Sequence, residues 1–553
     1  MGSHYIPVGK LKIDKYLLDI ACPAAGYDGT PPPAEIFCPA NGYIDPNDPN
    51  NPYVPVFPPY EPELGMPEVD PNEIGEGEIL LICSNELIGE VRLSITRSTG
   101  NLNWWIYGAN DSLLDSGNTS SISPTWNFNN YSGGFITLSG LSVFKLVLKP
   151  ASGTFINCSA FSTSIVYPIK EVYVKASTLQ TFSFRNQSLI EKVWFLDVMN
   201  SLIGSDYALA GTPLLKDVTL PTTMNAMVLF TRWFQTSGIP KCKLPTNMEE
   251  CTSIEGIFNL SEVKEFTLPT NCPKLWNLRS LASQTKNLIS LIFPDSFSKL
   301  PLSIWDMLNG SHVKYLKLHS EFKASAINGA FQNTPNMDTD DHVLYLKCVD
   351  VTSHQNILTF NNKIKKVVLD GNCINDNFSF FSFNSCSVLE EVVLYTEGAP
   401  NATNMITPFL NNYKVKKYTP PKSMPSLTGS LTLNVGAASY PNLEVFEKID
   451  SWGSSPIGIS VGPNKIKVFD QPALNALLLT WQNTVLEYIN INWSTYTATS
   501  IMLRNNQLSA SELNRIFGLL PISSGRTISC SGNPGYLSCD PSIAAARGWT
   551  VAV

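Results

Sequence analysis

Five histidines are the only imidazoles available to bind a metal or carry a proton: His4, His312, His319, His342 and His354. No two stand in the His-x-x-x-His or His-Glu-x-x-His spacing that sets two ring nitrogens on one helix face, so zinc hydrolysis lacks ligands. His312 and His319 flank a short apolar word and read as surface residues. No Gly-x-Ser-x-Gly turn presents a nucleophile, and no Gly-x-x-x-x-Gly-Lys loop cradles a phosphate. Asp338, Asp340 and Asp341 cluster as calcium ligands would, but the glycine and distal glutamate of a calcium loop are missing, so a solvated loop is the plainer reading. A glycosidase requires two carboxylates roughly 5–10 Å apart. With 46 acidic residues many pairs comply, and spacing selects none. Twelve cysteines occur without one Cys-x-x-Cys pair, against zinc-ribbon and redox spacings. Free buried thiols are the expected state, with Cys530 and Cys539, or Cys22 and Cys38, as pairs able to bridge. The expectation is a protein that is not an enzyme, with no cofactor and no metal.

The composition agrees. Hydrophobic residues make up 43% of the chain, enough for a real core, yet charged residues only 15% against the usual quarter or so. Asn, Ser, Thr, Gly and Pro fill the difference, a profile suited to an extracellular or virion surface. The net charge of −8 argues against a nucleic-acid partner, which a basic field would attract. The lysines at 363–366 and 414–417 read as solvated strand faces. No run of 18 apolar residues is present to cross a membrane. The apolar stretch inside 16–22 is about five residues long and broken by Asp19, short of the roughly 7–15 of an export signal.

What positions these residues is one repeated word. Its clearest copy is Val263-Lys264-Glu265-Phe266-Thr267-Leu268, followed by Pro269-Thr270-Asn271. Copies end at 195, 220, 244, 268, 293, 318, 369, 394 and 420, mostly 24 to 26 residues apart, with one gap of 51 that holds a degenerate copy near 342–348. Looser copies follow at 443–448, 466–471 and 486–491. A period in the twenties predicts a solenoid with a short strand in each turn and a helix-or-loop half between strands. Side chains alternate along a strand, so the outer apolar positions bury and the intervening ones face out. Candidate ligand contacts on that exposed ladder are Trp194, Thr219, Thr267, Lys317, Lys366 and Glu391.

The stretch Phe383-Asn384-Ser385-Cys386-Ser387-Val388-Leu389-Glu390-Glu391-Val392-Val393-Leu394 resembles the BspA-type leucine-rich repeat, whose pattern runs Phe-x-x-Cys-x-x-Leu-x-x-Val-x-Leu. Thr267-Leu268-Pro269-Thr270-Asn271-Cys272 and Ile292-Phe293-Pro294-Asp295-Ser296-Phe297 resemble its continuation. The likeness covers about 169–553 and weakens at 321–348 and 421–485. The ending, with Gly532-Asn533-Pro534-Gly535 and Ala544-Ala545-Ala546-Arg547-Gly548-Trp549-Thr550-Val551, resembles tails of repeat proteins in gut Bacteroidales and their crAss-like phages.

The expected fold is mainly β with short helices, in four parts. Residues 1–75 are proline-rich, which removes backbone donors and blocks helix and central strand. They read as an extended arm that lays Tyr27, Tyr43, Tyr53, Phe57 and Tyr60 into pockets of a partner. Residues 76–168 read as a β-sandwich, with Trp104, Trp105, Tyr107, Trp126, Phe128 and Tyr131 its most aromatic stretch, where sugar stacking is an alternative to core packing. Residues 169–505 form the leucine-rich-repeat solenoid. Residues 506–553 form an αβ cap, with Ser509 and Glu512 placed as a capping box.

The resemblance implies a phage virion structural protein, a head or tail fibre. It would be assembled in the host cytoplasm, be extracellular after release, and be a homotrimer. Its partners would be other virion proteins and a host-surface glycan or protein. A polysaccharide-degrading tailspike and a bacterial surface adhesin are the alternatives. Polysaccharide-lyase solenoids carry several strands per turn, so one strand per turn weighs against the tailspike.

Overall fold

The computed structural model describes residues 69–552 apart from short breaks, the longest at 128–142 and 433–440, together with 12–13 and 16–17. Residues 1–64 are a unit of their own. There, strands Lys12–Ile13 and Tyr16–Leu17 pair antiparallel. Tyr27, Tyr43, Tyr53, Phe57 and Tyr60 lie outside the described residues, as do Cys22, Cys38, Phe128 and Tyr131.

Residues 65–553 are the second unit. It is mainly β, with a β-solenoid of about 15 turns. The hexads supply its main ladder. Lys192–Phe195 pairs in parallel with Ile169–Val174 before it and Asp217–Thr219 after it. Lys241–Lys243 pairs with Glu265–Thr267, and Ser290–Ile292 with Tyr315–Lys317. From Val343–Ser353 the ladder continues through Lys366–Cys373, Glu391–Leu394, Lys417–Thr419 and Val445–Phe446.

Alternation decides what each hexad buries. Ile239, Cys242 and Leu244 are buried while Lys241 and Lys243 are exposed; Val263, Phe266 and Leu268 are buried while Glu265 and Thr267 are exposed. Each buried aliphatic or aromatic side chain contributes roughly 1.5–3 kcal/mol. The stack therefore gains its stability turn by turn, through neighbours only. Phe182, Phe195, Trp233, Phe234, Phe258 and Phe266 form an aromatic file through the early turns, with ring centroids 4.5–6.4 Å apart.

The half-turn between hexads differs from expectation. It holds further parallel bridges, Thr223 to Asn247 to Asn271 on one side and Leu229 to Ser253 to Asn277 to Ser303 on another. Among the described residues no α-helix lies there; the α-helices described are α1 (Ala510–Leu519) and α2 (Pro541–Ala545), both near the C-terminal end. Proline, asparagine and threonine after each hexad disfavour a helix and suit short bridges and turns.

A corner repeats with the same period. Asn186, Gly211, Thr236, Leu260, Gln284, Gly310, Asn333, Phe360 and Ser385 all have positive φ. The next residue is buried, and in most turns it is polar: Gln187, Thr212, Ser237, Ser261, Thr285, Ser311, Thr334 and Asn361, then Cys386. Thr212, Ser261, Thr285 and Thr334 donate to the carbonyl three residues back at 2.7–2.9 Å. Asn361 does more. Its amide donates to the carbonyls of Thr334 and Met337 at 2.9 and 2.8 Å, and its oxygen accepts from the Lys363 and Ile364 amides at 2.9 and 2.8 Å.

Both ends of the stack are occupied by other structure. On the N-terminal side, Ile79–Ser84 pairs antiparallel with Ile169–Val174, then with Val143–Pro150, Leu102–Gly108 and Leu113–Thr119 beyond it. A second sheet joins Glu90–Arg97 and Phe155–Ala160 to Thr181–Ser183. Both sheets of 76–168 therefore run on into the solenoid, and one core spans them from Ile79 to Trp549.

At the C-terminal side, Ser509 accepts from the Glu512 amide at 3.2 Å and caps α1. The Glu512 carboxylate does not complete the expected capping box. It turns to the strand of the last hexad, Tyr488–Asn492, which pairs in parallel with the preceding hexad's strand in Val468–Trp481, and accepts from the Ile489 amide at 3.2 Å. Arg515 pairs with Glu512 at 2.6 Å and donates to the Ile489 carbonyl. A carboxylate and a guanidinium thus stand where the next strand's backbone would be. Cys530 and Cys539 are free thiols.

Candidate ligand-binding face

Because the sheet of 76–168 and the main ladder are one, their outward positions form continuous rows. Strand register gives the first row as Ser116, Trp105, Val147, Leu80, Tyr173, Trp194 and Thr219. The second, two residues along, is Leu113, Tyr107, Lys145, Ile82, Glu171, Lys192 and Asp217.

Residues 69–78 lie across the middle of this face. Ile74 is buried against Leu80, Ile82 and Tyr173, with Val69, Val147 and Trp194 packed around it. Lys175 pins the segment by donating to the Ile74 carbonyl at 2.8 Å. Asp70 caps the short turn Pro71–Glu73 by accepting from the Asn72 amide at 2.9 Å. Tyr173 is fully buried beneath; burial, then its hydrogen bond to Glu171, holds its phenol well above the usual tyrosine range. Lys192 sits 5.4 Å from the Tyr173 ring centre.

On one side of this segment is a cleft of about 440 Å³. Trp105 and Tyr107 form its floor with Lys145 and Val147; Asp70, Glu73, Glu78 and Asp111 stand around it. Lys145 is tied to Asp111 at 2.5 Å and Lys149 to Glu78 at 3.0 Å. On the other side are Trp194 and Thr219, candidate contacts from the sequence, adjacent in register.

The remaining candidates are spread along the ladder. Thr267 stands beside Lys243, and Lys317 beside Ile292, all four outward and exposed. Lys366 and Glu391 are neighbours joined by an ion pair of 3.2 Å, and Lys417 approaches Glu391 at 3.9 Å. Those charges satisfy each other between turns, as do Lys241 with Glu265 at 3.1 Å and Lys467 with Glu487 at 2.9 Å.

The cleft was readable in part. In Leu102–Gly108, period-two alternation sends Trp104 and Ile106 one way and Trp105 and Tyr107 the other. Trp104 packs on the core, whereas Trp105 belongs to neither core cluster. The carboxylates across the cleft come from 70–78 and 111, and nothing in their spacing joins them to Trp105. Elsewhere, burial pushes the thiols of Cys158, Cys251, Cys386 and Cys530 up to about 12, so they are poor nucleophiles at neutral pH. Among the described residues no helix is long and apolar enough to cross a membrane. Comparison of the chain with protein-family models, with curated proteins and with solved structures returns no match.

Proposed function

We propose that this chain is a non-enzymatic virion structural protein of a bacteriophage, a head or tail fibre, that holds to the particle by its proline-rich first 75 residues and presents its sheet face to a host or surface ligand. The observation that supports it is the outward face itself. Rungs stacked in register give one extended surface whose exposed side chains are free to vary while the buried ones keep the stack. We read the turns as leucine-rich repeats of the BspA type, on the likeness of 383–394 to that pattern. We read the assembly as a homotrimer, with capsid or tail proteins as partners at the arm and a glycan or protein at the face. The test is location. Antibodies against residues 1–75 and mass spectrometry of purified particles should find the chain in virions with Met1 at its start. A chain recovered from bacterial envelopes and cleaved before Cys22 would overturn the reading in favour of a surface adhesin.

One observation favours a second reading. The half-turns carry parallel bridges, so the solenoid has more than one ladder per turn. That lies nearer to the multi-stranded solenoids of polysaccharide-degrading tailspikes than the hexads alone imply. Release of reducing ends from capsular polysaccharide by the purified chain would establish this reading in place of the non-enzymatic one.

A further inference from the structure

We propose that the cleft beside residues 69–78 binds a neutral saccharide bearing adjacent free hydroxyls. It stands on its own geometry, whether or not the chain belongs to a virion.

The floor is aromatic and open. Trp105 and Tyr107 lie two residues apart on one strand, about 7 Å from each other along it, and each is only part-buried. Their side chains share an outward face with Val147, so a ring with an apolar C–H face can lie on them while its edges stay polar. The surround supplies acceptors. Asp70, Glu73 and Asp111 are exposed, and Glu78, part-buried, lines the cleft with them while accepting from the Gly75 amide at 2.8 Å and from Lys149 at 3.0 Å. An ionised carboxylate is acceptor-only, with two oxygens able to take a pair of hydroxyl protons together. A saccharide with vicinal hydroxyls offers that pair, and its C–H face matches the aromatic floor. The cleft's volume, about 440 Å³, falls within the roughly 300–1,000 Å³ of small-molecule sites.

Charge narrows the class. Four carboxylates line the cleft; Lys145 is tied to Asp111 and Lys149 to Glu78, which leaves the charges of Asp70 and Glu73 in excess. Uronates, sialosides, sulfated glycans and phosphates would meet like charge here. The site should therefore discriminate against acidic polysaccharides. The floor does not depend on a loop closing over it. Its strands are held in register on both sides, and residues 69–78 are anchored by Ile74 and Lys175.

The test uses the purified full chain. Maltooligosaccharides, β-glucan and mannan fragments and chitooligosaccharides are compared with hyaluronan and polysialic acid on a glycan array. Calorimetry on the best neutral ligand follows. Binding of a neutral glycan is expected, with indole fluorescence perturbed. Trp105→Ala should weaken Kd about tenfold or more, Trp105→Phe should retain most of the affinity, and Glu73→Gln should weaken it several-fold. Lys286→Ala, at an exposed bend of the solenoid, should leave it unchanged, and unaltered melting temperatures show that the variants fold. No binding to any neutral glycan, a preference for the acidic ones, or affinity indifferent to Trp105→Ala would each overturn the proposal. Loss of binding in Trp105→Ala from a chain absent from virions would sink the virion reading and leave this one standing.

Discussion

Single residues in this solenoid are constrained by a backbone that repeats more faithfully than its sequence. The positive-φ corner recurs in every turn of its stretch, yet glycine occupies only some copies. Leu260 adopts φ 59° and is 45% exposed as a residue. A branched side chain in that region is strained by roughly 1–2 kcal/mol, and exposure means little packing is lost by removing it. Leu260→Gly is therefore expected to raise stability by about 0.5–1 kcal/mol, measured as the midpoint of urea unfolding. A lowered midpoint would show that Leu260 packs in a way its exposure does not suggest. His354 poses the opposite problem. It is buried, with Cys373 Sγ 3.5 Å from Nδ1 and the Tyr395 ring 5.9 Å away. Burial holds it down at about 4, against about 6.5 in an unfolded chain. A folded-state value below the unfolded one favours the neutral ring. The contribution is thus complete above about pH 6.5 and is lost as pH falls towards 4. Between pH 7 and pH 4 the wild type should lose on the order of 3 kcal/mol more than His354→Gln. Parallel pH profiles of melting temperature for the two proteins would refute this.

At the scale of elements, the interesting places are where the ladder stops. A parallel strand left without a neighbour exposes a row of amides and carbonyls. Here α1 closes the strand of the last hexad at Ile489 with two side chains in place of a strand, the Glu512 carboxylate at the amide and Arg515 at the carbonyl. Glu512→Ala would orphan the buried Ile489 amide and leave Arg515 without its partner. The expected loss is about 2–4 kcal/mol, with hydrogen exchange at Ile489 and its neighbours accelerated before exchange in the early turns. Unchanged protection at 488–492 would mean that the helix covers the strand without help from this pair.

For the whole molecule, the question is which pieces stand alone. Residues 65–553 are one unit with a single through-going core, and 1–64 are another. A chain starting at Gly65 should therefore melt at the temperature of the full protein. A chain starting at Ile169 should not. It would strip Ile79–Ser84 from the edge of Ile169–Val174 and Phe155–Ala160 from that of Thr181–Ser183. Two sheet edges and the buried faces of Val172, Val174 and Phe182 would open to solvent. Aggregation of the chain that starts at Ile169, beside a soluble chain that starts at Gly65, is the expected contrast in light scattering. Two equally soluble chains would show that the solenoid starts cleanly at 169.

The hexads, their period, the face each one buries and the mixed α and β character after residue 505 were all legible from the chain alone. Each depends on neighbours a few residues away, and alternation along a strand reports burial directly. The same alternation separates Trp105 and Tyr107 from Trp104, a signal that grouping the six aromatics of this segment together leaves unused. What only the tertiary structure decided depends on pairings far apart in sequence. Strand Ile79–Ser84 pairs within its own segment with Val143–Pro150, and the antiparallel register of its other edge against Ile169–Val174 makes one sheet of two expected domains. The pairing of Val143–Pro150 with both Ile79–Ser84 and Leu102–Gly108 brings Trp105 to Asp70 and Glu73, and the pairing with Ile169–Val174 brings Trp194 onto the same face. Glu512 looked like a capping residue because local spacing said so. Its carboxylate turns inward because a buried amide 23 residues earlier lacks any other acceptor, and satisfying that amide outweighs a solvent-exposed cap.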